Sequence, residues 1–134
     1  MDYESINIRA EKILRDLLEK SRASDIVLTT EEGLPCCSVH EQKRSSLNVE
    51  GTAAVLIDTI KTISNLLSLQ SGEDNFRHMN IRTEQGSIIV ARSKHFTMAI
   101  KFRGARAKRA GLSITHAKRA LKKVEKLFEI FFQI

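Results

Sequence analysis

The chain has 134 residues, 42% of them hydrophobic, with no tryptophan and a formal net charge of +6. This suits one domain with a sizeable core. It excludes a membrane span, because the longest apolar run is far too short, and a disulfide framework, because the two cysteines, Cys36 and Cys37, are adjacent. The charge is uneven: residues 1–91 hold ten Lys/Arg against fourteen Asp/Glu, whereas residues 92–134 hold twelve against two. A basic C-terminal third points to an acidic partner or, more simply, to a solvated helix face and a polar loop. The polar, acidic start MDYESINIRAEK has no apolar stretch typical of a signal peptide, so a cytoplasmic location is expected.

In chain order, SINIRAEKILRDLLEK spaces Ile6, Ile13, Leu14, Leu17 and Leu18 as a helix, with Ser5 as a candidate cap. SDIVLTTEEGLPCCSVH reads as strand, tight turn, strand. Gly33 supplies a positive φ in the turn, and Pro35 confines the second strand to a sheet edge, since it has no N–H for a second neighbour. EQKRSS is a loop. A long helix then runs from Asn48, a candidate cap, to Leu69, closed by Gly72. Three strands follow, FRHMNIR, SIIVAR and FTMAIKF, with links short enough for hairpins. In the last of them Phe96, Met98, Ile100 and Phe102 share one face, and Thr97, Ala99 and Lys101 the other. RGARAKRAG is a loop, and a final helix starts near Leu112. Ala117, Ala120, Leu121, Val124, Leu127, Phe128 and Phe131 form its apolar stripe, with Lys118, Arg119, Lys122, Lys123 and Lys126 opposite.

The order is helix, two strands, long helix, three strands, helix. Hairpin links make the sheet mainly antiparallel. A five-stranded sheet with helices on both faces gives one α/β layered domain over residues 1–134, its core spanning about 8–128 and a short Phe-rich end following from 128 to 134.

The search for chemistry is mostly negative. Gly104 and Gly111 lack the spacing and the Lys-Ser/Thr pair of a phosphate loop. Cys36, Cys37 and His40 invite a metal or a nucleophile. Strand alternation, however, would send the adjacent thiols to opposite faces, and His78, His95 and His116 lie on separate elements. No metal and no cofactor is expected. His40 would point away from Cys37, and Glu31 and Glu32 read as solvated turn residues. A nucleic-acid or anionic-membrane surface could be built from residues 101–126, with Arg103, Arg106, Lys108, Arg109, Lys118, Arg119 and Lys122 as its patch. Few aromatics are available there for stacking.

The long helix is the informative element. Of its 22 residues only Glu50, Asp58 and Lys61 are charged, whereas a surface helix normally shows a broad charged face. Val49, Ala53, Leu56, Ile60, Ile63 and Leu67 form a line suited to the sheet. Val55, Leu66 and Leu69, with Thr52, Thr59 and Thr62 between them, form a second apolar flank. Either the EQKRSS loop covers this flank, or a second copy of the helix does; six polar residues cover it poorly, so a homodimer is the preferred reading.

This pattern resembles the roadblock family, the dynein-associated light chains and their bacterial and archaeal relatives. The resemblance is carried by ILRDLLEKSRASDIVLTTEEGLPCCSV, the long small-residue-rich helix, GSIIVARSKHFTMAIKF and RGARAKRAGLSITHAKRA. It implies the long helix on one face of the sheet and the first and last helices on the other. It also implies dimers in which long helices and FRHMNIR edge strands meet, placing Thr52, Val55, Thr59, Thr62, Leu66 and Met79 in the interface. It implies no enzyme but an adaptor or regulator of small Ras-like GTPases, of which some family members modulate nucleotide hydrolysis. The very basic last connection and the end LFEIFFQI depart from the common pattern.

Overall fold

The computed structural model describes residues 3–41, 55, 58–63, 65–66, 78–82, 84 and 86–132. Helical spacing of apolar residues produces α1 (Tyr3–Ser21), which ends where Arg22 turns to a φ of 57°. Ser21 Oγ donates to the Leu17 carbonyl at 2.7 Å and helps close its last turn. Strands β1 (Asp25–Thr30) and β2 (Pro35–His40) form a hairpin. Its turn needs Gly33 at a φ of 95°, a conformation with little penalty only without a Cβ. Between β2 and β3 the described residues 55, 58–63 and 65–66 are helical and are termed α2. Then come β3 (His78–Arg82), β4 (Gly86–Arg92) and β5 (Phe96–Arg103), all antiparallel to their partners. Two 3-10 segments, Gly104–Arg109 and Gly111–Ser113, lead into α3 (Ile114–Phe132).

The sheet order is β2-β1-β5-β4-β3, which leaves β2 and β3 as edges. Pro35 therefore sits in an edge strand, as its missing N–H demands. Period-2 alternation decides what each face does. On one face Ile26, Leu28, Ile89, Met98, Ile100 and Phe102 are fully buried and pack with Ile6, Leu14, Leu17, Leu121 and Val124 of α1 and α3 in the main core. Phe96 and Phe128 meet there at 5.2 Å between ring centroids. On the other face Ile60 of α2 is buried with Val90, and Met79 and Ile88 pack partly against them. The layers are thus α1 and α3, sheet, α2. Gly86 lets β4 approach β5 closely: a Cβ there would lie 2.5 Å from the Phe102 carbonyl oxygen.

Three local expectations are corrected. The connection expected as a loop is 3-10 in two short pieces, each beginning at a glycine, Gly104 or Gly111; its Ala, Arg and Lys favour helical backbone, but over runs too short to nucleate an α-helix. Accordingly α3 begins at Ile114 rather than Leu112, which is 80% exposed. The third correction concerns the cysteines. Leu28 lies opposite Cys37 but Thr29 opposite Pro35, so Cys36 is an extra residue in β2. Such a β-bulge suspends alternation, and both thiols pack against the main core instead of diverging.

Candidate functional site

The α2 flank is open in the protomer. Val55 is 65% and Leu66 56% exposed, whereas Ile60 is buried on the sheet. At about 100° per residue, Val55, Thr59, Thr62 and Leu66 fall within an arc of about 60°, with Ile60 roughly 130° away. The two threonines do not make this arc polar. Thr59 Oγ1 donates to the Val55 carbonyl at 2.8 Å, and Thr62 Oγ1 to that of Asp58 at 3.0 Å. With each hydroxyl occupied by the preceding turn, the methyl groups remain as the outward surface. The spacing of these four positions is four, three and four residues, which is the spacing of a helix-to-helix seam. These are the residues that the sequence placed on the second apolar flank. Thr52, which extends this spacing by three residues, lies outside the described residues.

The second component is the β3 edge. Its residues pair with β4 from His78↔Ala91 to Arg82↔Ser87, and among the described residues no strand pairs with its other side. Met79 is half-buried, and Ile81 is 40% exposed. An open edge with apolar side chains on the α2 side of the sheet is a template for strand addition.

Two of the basic residues face carboxylates. Arg103 Nη2 lies 3.5 Å from Asp25 Oδ2, and Arg106 Nη1 lies 2.8 and 2.7 Å from the two carboxylate oxygens of Glu41. Arg106 and Lys108 line an open cavity of about 680 Å³ at the end of α1, together with Glu19, Arg22 and Glu41. The side chain of Arg109 lies outside the described set. Lys118 and Lys122 are exposed on α3 one turn apart, whereas Arg119 turns toward α1.

Two hydrogen-bonded clusters were not foreseen. Glu125 of α3 clasps the β4–β5 turn: Ser93 Oγ donates to its Oε1 at 2.7 Å, the His95 amide donates to Oε1 at 2.6 Å, and His95 Nδ1 meets Oε2 at 2.8 Å. Burial opposes the Glu125 carboxylate, but these bonds outweigh it and hold its pKa below the ordinary value. In the second cluster Asp25 Oδ1 meets His40 Nδ1 at 2.8 Å, and Ser38 Oγ meets His40 Nε2 at 3.0 Å. Asp25 is directly across from His40, and Ser38 is two residues back on the same strand. This chain fastens edge strand β2 to β1 on the α2 side of the sheet. Cys37 lies on the opposite side, so His40 cannot serve it as a base. Burial pushes the Cys36 thiol up to about 11, and burial, Cys36 and Glu11 push Cys37 up to about 12. Both stay protonated at neutral pH, the reverse of what a thiolate nucleophile needs. Among the described residues no group of three His, Cys, Asp or Glu could hold a metal.

No family model matches the chain, and no curated protein does. Solved structures do. The gliding protein MglB of Thermus thermophilus superposes with a TM-score of 0.80, covering 92% of this chain and 91% of that one at 19% identity. An MglB structure with a tetrameric arrangement gives 0.78 over 92% and 90% at 16% identity. A Roadblock/LC7 domain from Streptomyces avermitilis gives 0.62 over 91% and 96% at 14% identity. The chain has the roadblock fold.

Proposed function

We propose that this protein is a cytoplasmic, non-enzymatic homodimeric adaptor or regulator that binds a small Ras-like GTPase. The observation that carries the dimer is the exposed 4-3-4 stripe of α2, on the side of the sheet that Met79 of the open β3 edge also faces. Residues 48–69 of two copies pack across a two-fold axis, and the strands at 76–82 pair edge to edge. Likeness in fold to MglB, one structure of which has a tetrameric arrangement, supports assembly. The GTPase partner rests on the resemblance drawn from the sequence, and the cytoplasm is where such a partner meets its nucleotide. Protonated thiols and a His40 engaged on both ring nitrogens support a binding role rather than covalent chemistry. The nucleic-acid or anionic-membrane reading of residues 101–126 has less support, since Arg103 and Arg106 already face Asp25 and Glu41.

Calorimetric titration of the intact protein against the Ras-like GTPases of its own genome, each loaded with GDP or a non-hydrolysable GTP analogue, tests the partner. Binding to one of them with about tenfold preference between nucleotide states (~1.4 kcal/mol), and no nucleotide bound by the chain alone, is expected. Nucleotide held by the isolated chain, or no binding to any of them, would refute it.

A further inference from the structure

The face opposite α2 holds a second surface. His116, Arg119 and Ala120 of α3 line one reach of a groove with Leu17 and Lys20 of α1, and Lys126 and Leu127 line the next with Arg9 and Lys12. The helices therefore run antiparallel. The two reaches, about 110 and 550 Å³, share Ile13, Asp16 and Lys123 and form one continuous trough. From Arg9 to Lys20 it extends about 17 Å, the length of a three-turn helix.

Its chemistry is consistent along that length. Ile13 and Leu127 form a half-buried apolar floor, and Arg9 and Lys12 on one rim face Lys123 and Lys126 on the other. Among the described residues none of these four cations forms an ion pair, and Asp16 is the one acidic residue lining the trough. The basic residues of α1 drew no attention in the sequence, because they sit in the net-acidic part of the chain. The fold brings them beside α3.

We propose that this groove docks an acidic amphipathic helix of another protein, its apolar residues on Ile13 and Leu127 and its carboxylates reaching both basic rims. A membrane would need apolar side chains that protrude, and here they are recessed between the rims. A single-stranded nucleic acid would stack its bases on Phe, Tyr or Trp, and the groove lining contains none of these. An apolar floor between two rows of cations matches a helix with a Leu/Ile stripe flanked by Glu or Asp.

The test is fluorescence anisotropy of the intact protein with a labelled peptide of about 14 residues, carrying Leu on one face and Glu on both flanks. Saturable micromolar binding is expected, weakened about tenfold or more by K12E/K123E and by added salt. A peptide with Lys in place of Glu should not bind. Both substituted lysines are exposed, so the variant should keep the wild-type melting temperature and oligomeric mass. The V55E/L66E variant should bind the peptide as wild type does, which separates this site from the dimer face. No saturation with the peptide, insensitivity to K12E/K123E, or loss of binding in V55E/L66E would overturn the proposal. So would tight capture by phosphatidylserine vesicles or single-stranded RNA where the peptide fails.

Discussion

Placing glutamate at both ends of the α2 stripe, V55E/L66E, should convert a dimer into a folded monomer. Val55 and Leu66 are 65% and 56% exposed in the protomer, so neither contributes much to its own core, and exposed substitutions usually cost under about 0.5 kcal/mol. Across a two-fold axis the same residues count four times. Full burial of a Val or Leu is worth about 1.5–3 kcal/mol; with more than half of each still exposed, each stands to gain about 1–2 kcal/mol on association. The four together supply about 4–8 kcal/mol toward the roughly 8 kcal/mol of a micromolar dimer. Association entropy costs at least several kcal/mol more, so the two threonines of the stripe and the β3 edge must contribute as well. Loss of the stripe, with four carboxylates left in the seam, should weaken dimerisation about a thousandfold or more. Sedimentation velocity at about 10 μM, near a micromolar dissociation constant, reads this directly. Wild type should run at twice its 15.1 kDa chain mass and the variant at one chain mass, with an unchanged circular dichroism spectrum. A variant that stays dimeric would refute the seam, and one that unfolds would show these residues belong to the protomer core.

The remaining predictions concern the cysteines and the Glu125 clasp. With Cys36 raised from an ordinary 9.0 to about 11, its thiolate population at neutral pH falls about a hundredfold. Iodoacetamide should label the native protein correspondingly more slowly than free cysteine, and labelling at the ordinary rate would contradict the burial. Glu125→Ala removes an acceptor of three hydrogen bonds that is 21% exposed; it should cost about 2 kcal/mol, or about 7 °C in melting temperature for this length. Because the folded pKa of Glu125 is depressed, its contribution is present above the ordinary carboxylate pKa and lost as pH falls through the folded value. The melting difference between wild type and E125A should therefore shrink in acid, and a constant difference down to low pH would assign the loss to packing alone.

Legibility in the sequence varied with how local the physics was. Phe96, Met98, Ile100 and Phe102 could be assigned to one face because strand period fixes it, and all four are buried. Pro35 marked an edge because a missing N–H leaves no alternative, and the α3 stripe from Ala117 to Phe128 faces the core as its spacing requires. The bulge at Cys36 was not legible, since one extra residue in a ladder depends on a partner strand elsewhere in the chain. The same holds for the Glu125 clasp, whose members are about thirty residues apart, and for the pairing of Arg103 and Arg106 with Asp25 and Glu41. Charge read along the sequence grouped Arg103, Arg106, Lys108, Arg109, Lys118, Arg119 and Lys122 in one patch. The fold turns Arg103 and Arg106 toward Asp25 and Glu41, and brings Arg9 and Lys12 from the opposite end of the chain beside Lys123 and Lys126.

The central claim is that α2 meets its own copy through this stripe, and a site-specific cross-link tests it most directly. In a protein with Cys36 and Cys37 replaced by alanine, Thr59→Cys or Thr62→Cys places one thiol near the middle of the seam, whereas Lys61→Cys places it on the far side of the helix. Mild oxidation should yield a disulfide-linked pair of chains for position 59 or 62 and none for 61, because a disulfide forms only where Cα atoms come within about 7 Å. Cross-linking at position 61 alone, or at none of the three, would contradict the account.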